Sequence, residues 1–230
     1  MKKLLPITLS VLFLSACKTE VEKEVSLSKL LNDPISVENA VLNVEVAGCN
    51  DFQDSRQPSQ SLLDAQQKVP FVFTNATFKE CYRQNFNSYA VFEIPIGVGV
   101  ITEETQKNSL PEINLFSFKH ENKSLPLGVM IKERLKQRLN QLQKTEIMAN
   151  AVDFSVVLKV KNDLTDKNKN FRIVSSYVNN TPYPDGIDLD LEKTTNKSIE
   201  IKLSNVSIDS LLKTEGDGLI AVIKSKKATE

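Results

Sequence analysis

Apolar and polar residues alternate along several stretches of the chain, and this period of two constrains the fold more than any other feature. The apolar positions of the two clearest stretches are Val152, Phe154, Val156, Leu158 and Val160, and Ala90, Phe92, Ile94, Ile96, Val98 and Val100. Successive side chains of a strand point to opposite faces, so this pattern predicts strands with a buried face. Residues 19–27 show it too and predict an early strand, with a charged, flexible leader as the alternative.

One segment follows the helical period instead. Apolar residues recur there at spacings of four, four, four and three, at Leu127, Ile131, Leu135, Leu139 and Leu142. This spacing predicts a long amphipathic helix over residues 127–149. Shorter helices are expected over residues 26–31 and 207–212. Another begins at Ser59 or Ser61 and is expected to end before Pro70, which leaves residues 71–73 for a strand.

These patterns together predict an α+β fold that is mainly antiparallel β, with two β-rich halves in a sandwich-like arrangement, one long amphipathic helix and short helices. The N-terminal half is expected over residues 17–101, a polar connection over 102–126, and the helix with the C-terminal half over 127–230. One elongated domain is the alternative. Residues 187–191 and 199–203 are expected to pair as a β-hairpin across a turn at 194–196.

The first residues have the pattern of a secretory signal. Lys2 and Lys3 precede a mainly apolar run over residues 4–14, which is too short to cross a bilayer as a helix of about 20 residues. Leu14-Ser15-Ala16-Cys17 resembles the lipobox of bacterial lipoproteins. The resemblance implies removal of residues 1–16 as a signal peptide and attachment of lipid, with fatty chains such as palmitate, to Cys17. A plain signal peptide that ends near a cysteine is the alternative.

Lys18 follows the lipobox cysteine, where retention in the inner membrane typically needs an aspartate. The resemblance to Gram-negative lipoproteins therefore implies an outer-membrane protein, lipid-anchored and facing the periplasm, with surface exposure left open.

With Cys17 lipidated, Cys49 and Cys81 remain. An even pair in an exported domain predicts a disulfide, and two free thiols or a redox pair are the alternatives.

The composition argues against several classes of function. The 29 basic and 29 acidic side chains cancel, whereas a nucleic-acid-binding protein needs a basic face. His120, the single histidine, stands in a polar segment with no nucleophile motif, so neither an enzyme nor a zinc site is expected. No cofactor is expected either. The densest acidic cluster consists of Asp185, Asp188, Asp190 and Glu192. We interpret it as a solvated sheet face rather than as a calcium site.

The predicted long helix carries five basic residues, Lys132, Arg134, Lys136, Arg138 and Lys144. A basic helix face can lie against anionic lipid headgroups, so these residues are a candidate membrane-contact face. The alternative is an ordinary solvated face, in which Glu133 pairs with a neighbour on the helix.

Several segments together resemble an uncharacterised lipoprotein family of proteobacteria, prophages and phages. They are residues 18–23, 25–27, 44–52 (with VEVAGCNDF), 80–89 (with ECYRQNFNSY) and 201–207 (with IKLSNVS). The resemblance implies a location in the envelope and no established activity. It favours a non-enzymatic, membrane-anchored lipoprotein whose partners are the bilayer, through Cys17, and an envelope protein or surface. A periplasmic carrier of lipid or a small molecule, and a prophage lipoprotein that excludes superinfecting phages, are the alternatives.

Overall fold

The computed structural model describes residues 18–105, 109–118, 124–145, 153–164, 169–214 and 217–225, which form thirteen strands and four helices. The strands are β1 (Lys18–Ser26), β2 (Ser36–Val46), β3 (Thr77–Gln84), β4 (Asn87–Ile101), β5 (Ile113–Phe118), β6 (Ser124–Ile131), β7 (Asp153–Lys161), β8 (Lys169–Ile173), β9 (Ser176–Val178), β10 (Thr181–Tyr183), β11 (Ile187–Asp190), β12 (Ser198–Leu203) and β13 (Gly218–Ser225). The helices are α1 (Leu27–Asn32), α2 (Gln60–Val72), α3 (Glu133–Thr145) and α4 (Asn205–Lys213).

All the strands belong to one sheet, in the order β10-β9-β12-β7-β1-β2-β4-β5-β6-β13-β8-β11, and β3 adds to the free edge of β4. The predicted first strand is confirmed as β1, and it is an interior strand of the sheet. It pairs antiparallel with β2 and parallel with β7, whose residues follow 135 positions later in the chain. The start of the folded chain is therefore held from both sides.

The sheet nearly closes on itself and is barrel-like. One long hairpin, from β8 to β11, turns at Asn179 and Asn180, both of which have positive φ. Its two arms are each interrupted, at Ser175 (φ 40°) and at Gly186 (φ 86°). The tip half, β9 with β10, pairs with β12, whereas the base half, β8 with β11, pairs with β13. The bent hairpin thus joins the two ends of the strand order.

One continuous cluster of apolar side chains forms the core. Its largest fully buried members include Phe92, Phe116 and Phe171, which come from three separate parts of the chain. Helix α1 adds Leu27, Leu30 and Leu31 to this cluster.

A row of paired residues defines one end of the sheet. Thr19 pairs with Val44, Val44 with Ala90, and Ala90 with Cys81, so the row crosses β1, β2, β4 and β3. Strands β1 and β4 run in the same direction, because each is antiparallel to β2. We call the end at which both strands begin the Lys18 end.

The predicted α+β sandwich of two β-rich halves with a long amphipathic helix is wrong. Strands of the two predicted halves join in one continuous sheet, since β1 pairs with β7. A period of two shows which side of a strand is buried but carries no information about its neighbour. The described chain is mostly β, and its four helices are short.

The first part of the predicted long helix, residues 127–131, belongs to strand β6, and helix α3 begins only at Glu133. Leu127 and Ile131 fit both periods, because residues four apart share a face in a strand as well as in a helix. Val129, which is also buried, completes the strand pattern. Residues 146–149 of the predicted helix lie outside the described residues.

Two further local predictions are wrong. Residues 187–191 and 199–203 do not form a hairpin: β11 pairs with β8, and β12 pairs with β7 and β9. Helix α2 does begin after Ser59, as predicted, but it continues through Pro70 to Val72. Burial of Val69 and Val72 in the last turn offsets the hydrogen bond that the proline removes.

Candidate functional site

A cleft opens where strand β4 changes its partner. Along one edge of β4, β3 pairs up to Glu93 and β5 pairs from Gly97 onward. Pro95 lies between them, where a residue without an N–H group is tolerated because no strand is paired to that edge. The end of α2, residues 109–113 and the start of α3 surround this gap and form a cleft of about 780 Å³.

The walls of the cleft are mixed in character. Its apolar side chains include Ile94, Met130 and Val37, and Val37 is 62% exposed although it stands on a strand. Its charged side chains are Glu112, Lys132, Glu133 and Arg134. An apolar surface with a few charged groups at its border is typical of a recognition site.

A three-residue lock holds the walls together. Arg138 of α3 forms an ion pair with Glu112, and its Nη1 donates a hydrogen bond to Thr74 Oγ1 at 2.9 Å. The Thr74 backbone N–H donates to the second carboxylate oxygen of Glu112 at 3.2 Å. Arg138 and Glu112 are each only 18% exposed at the side chain, so the pair is largely shielded from water. The lock joins α3 and the chain just after α2 to Glu112.

Lys132 is fixed at the cleft by two contacts with residues 110–112. Its Nζ donates to the Leu110 carbonyl, and its backbone N–H donates to the Glu112 carbonyl at 2.8 Å. Burial lowers the pKa of Lys132, and the Glu112 carboxylate opposes that shift. The Lys132 ammonium group is bonded to the backbone, so it places a fixed positive charge in the wall of the cleft.

The structure does not bring the five predicted basic residues onto one free face. Lys136 is buried and its Nζ donates to the Thr214 carbonyl at 2.7 Å, while Arg138 and Lys132 make the contacts described above. Arg134 is exposed at the cleft. The side chain of Lys144 lies outside the described residues.

Cys49 and Cys81 form the predicted disulfide, with their Cα atoms 5.6 Å apart. The bond ties the loop before α2 to strand β3, close to the Lys18 end. Cys17, the signal segment and His120 lie outside the described residues.

The predicted acidic cluster is spread along β11 and the turns beside it. Asp188 pairs with Arg172 of the neighbouring strand at 2.6 Å, and the Asp190 carboxylate accepts the Glu192 backbone N–H at 3.0 Å. No group of three or more potential metal ligands occurs among the described residues.

Sequence reasoning missed Thr74 and Glu112, the two acceptors of the lock. Neither belongs to a motif, and they stand 38 positions apart in the chain. The only local signal is that Glu112 follows Pro111 directly before a strand, which is not specific.

Comparison with known proteins gives one match. The family model described as Domain of unknown function (DUF7424) matches residues 19–227, which is nearly all of the described chain. No curated protein and no solved structure matches. None of the helices in the described residues is both long and apolar enough to cross a membrane.

Proposed function

The chain belongs to this family of unknown function, and from that premise we propose that it is a lipoprotein of the outer membrane. In this proposal Cys17 carries the lipid, the domain faces the periplasm, and the cleft binds an envelope protein or surface without catalysing a reaction. The supporting observation is the position of β1. It begins at Lys18, one residue after the lipobox cysteine, and it is an interior strand.

This position joins the proposed lipid to the fold without a linker. Adjacent Cα atoms are about 3.8 Å apart, so lipid on Cys17 holds the Lys18 end of the sheet at the membrane surface. Pro95 stands five residues beyond Ala90 along β4, in the direction away from that end. At about 3.3 Å per residue, the cleft lies roughly 16 Å beyond the row of paired residues. The anchor therefore presents the cleft to the periplasm.

The anchoring step is tested by metabolic labelling with an alkyne-bearing fatty acid in a Gram-negative host. The wild-type chain is expected to be labelled and to sediment with outer membranes, and Cys17→Ser is expected to lose both properties. Cys49→Ser is the matched control, because its cysteine is not part of the lipobox and labelling should persist. A labelled, membrane-bound Cys17→Ser variant contradicts the proposal.

Binding at the cleft is tested by placing a photo-crosslinking amino acid at Val37 in intact cells. Val41 is the matched control, because it is also partly exposed on β2, with the same side-chain direction, but does not line the cleft. A discrete crosslinked product at position 37 that is absent at position 41 is expected. Equal crosslinking at both positions, or at neither, contradicts a role for the cleft.

A second candidate function, the carrier of a lipid or small molecule, is favoured by the size of the cleft. Ligand pockets commonly enclose about 300–1,000 Å³, and this cleft of about 780 Å³ falls in that range. Native mass spectrometry of the protein extracted from membranes should then show a bound molecule. Val37→Asp is expected to lose it, whereas Val41→Asp should retain it, and a protein that carries no adduct contradicts the carrier function.

A further inference from the structure

Phe86 stands almost fully in solvent at the tip of the β3–β4 hairpin. Its exposed fraction is 93%, and it follows Asn85, whose positive φ (56°) forms the tight turn. Behind the turn, Tyr82 and Tyr89 are paired across the two strands and their rings contact each other, with centroids 5.5 Å apart. Removing a phenylalanine side chain from water contributes about 2–3 kcal/mol, so an aromatic ring at an exposed tip is suited to contact another surface.

The turn projects from the Lys18 end of the sheet. Phe86 precedes Ala90 by four residues in the chain, and Lys18 precedes Thr19 by one, while Thr19 and Ala90 belong to the same row. At about 3.3 Å per residue, the turn extends roughly 10 Å farther than Lys18 in the same direction. Two strand spacings, about 10 Å in all, separate β1 from β4 laterally.

The charges of the turn suit a phospholipid surface. Residues 83–88 contain one charged side chain, Arg83, and no acid. Arg83 Nε donates to the Asn85 carbonyl at 3.2 Å, which places a guanidinium group at the turn. Acidic residues at this end include Glu45 and Asp153, which are level with Tyr89 and Lys18, so the turn projects beyond both. Asp51 and Asp54 lie on the loop that the disulfide ties to β3, and Asp54 is paired with Arg56.

We propose that the side chain of Phe86 enters the interfacial region of the phospholipid bilayer beside the lipid on Cys17. This inference rests on the proposed function, since the lipid is what brings the Lys18 end to the membrane. A side chain that projects farther than the point of attachment reaches the headgroups when the anchor is inserted. The turn is then a second contact with the bilayer, and it restricts how the domain can tilt about its anchor.

The chain contains no tryptophan, so one introduced tryptophan reports on a single position. Phe86→Trp is made in the full chain, which is produced in a Gram-negative host, purified in detergent and reconstituted into phosphatidylethanolamine–phosphatidylglycerol vesicles. Phe71→Trp is the matched control, because Phe71 is 67% exposed in the last turn of α2, next to the cleft and away from the Lys18 end. Lipid brominated along its acyl chains serves as the quencher.

In vesicles, Phe86→Trp is expected to shift its emission to shorter wavelength and to lose intensity with brominated lipid, whereas Phe71→Trp should do neither. Equal quenching of the two variants, or none, overturns the contact if mass spectrometry shows lipid on Cys17. Absence of that lipid instead contradicts the proposed function. Asn87→Trp, at the exposed first residue of β4 beside the turn, replaces Phe86→Trp if the latter has a lower urea midpoint than the wild type.

Discussion

Different interactions stabilise the Lys18 end and the cleft end of the molecule. At the Lys18 end, the Cys49–Cys81 disulfide fixes an exposed polar loop to strand β3. At the cleft end, the lock of Arg138, Glu112 and Thr74 joins elements that no covalent cross-link connects. The first kind of link depends on an oxidising compartment and the second on a largely shielded ion pair. The two ends should therefore respond to different perturbations.

The largest effect is expected from removing the covalent link. The disulfide closes a loop over a separation of 32 residues, so Cys49→Ser combined with Cys81→Ser should lower the free energy of unfolding by roughly 3–4 kcal/mol. Urea unfolding followed by circular dichroism measures the change. Dithiothreitol should destabilise the wild type to a similar extent and leave the double variant unaffected. Equal urea midpoints with and without the bond contradict this prediction.

A smaller loss is expected at the cleft end. Glu112→Gln keeps the shape of the side chain but removes the counter-charge of the Arg138 guanidinium. Loss of this charge-assisted hydrogen bond in a partly exposed pair should cost about 2 kcal/mol. Urea unfolding gives the value, and Glu104→Gln, at an exposed position, is the control, with a change within about 0.5 kcal/mol. An unchanged midpoint for Glu112→Gln would show that the lock does not hold the cleft end.

The third effect depends on pH and concerns β1, near the Lys18 end. Burial of Glu20 alone raises its pKa, but hydrogen bonds from Lys202 and Ser155 and the Lys202 charge outweigh burial and lower it below its ordinary value near 4.5. The ionised form is thus favoured in the folded state. The stabilisation is complete above pH 4.5 and is lost as pH falls through the lowered pKa.

Glu20→Gln should therefore destabilise the protein by about 1 kcal/mol at pH 7 and by less at pH 3, because the wild type loses the same contribution in acid. Thermal unfolding across that pH range measures the difference. Glu24→Gln, at an exposed position on the same strand, is the control. A difference between wild type and Glu20→Gln that does not vary with pH contradicts the assignment.

An effect of similar size concerns α2, which extends from the disulfide loop to the cleft and so links the two ends. Ser59 Oγ accepts the Leu62 backbone N–H at 3.1 Å, so Ser59→Ala should lower the free energy of unfolding by about 1 kcal/mol. Ser61→Ala is the comparison, since the Ser61 hydroxyl also donates to the Gly48 carbonyl, as that of Ser59 does, but does not cap the helix. Equal losses for the two variants in urea unfolding would contradict the assignment of Ser59 as the cap.

Local sequence patterns predict individual elements better than their arrangement. The alternation at residues 88–100 and 154–160 corresponds to β4 and β7, and Ser59 caps the start of α2. Val152 of the same predicted strand lies outside the described residues. These features depend on residues a few positions apart. The pairing of β1 with β7 and the bend of the β8–β11 hairpin depend on which buried faces fit together, and a period of two is the same for every partner.

The candidate site illustrates the same limit. The disulfide was predictable because cysteines are few and pair in exported domains. The lock was not, since a glutamate, an arginine and a threonine are common on surfaces and only the partner change at Pro95 brings them together. The basic residues of α3 were recognised as a group, yet Lys136 donates to a backbone carbonyl inside the protein.

The parallel pairing of β1 with β7 also sets an order of events during biogenesis. A chain that is made and exported from its N-terminus presents β1 first, but one edge of that strand stays open until a partner 135 residues later has emerged. Contacts so distant in sequence form slowly, and unpaired strand edges meanwhile invite wrong associations. If Cys17 is acylated as soon as it is exposed, the nascent chain is attached to the membrane before β1 has paired with β7. Such a protein matures at the membrane surface, where its proposed anchor precedes its fold.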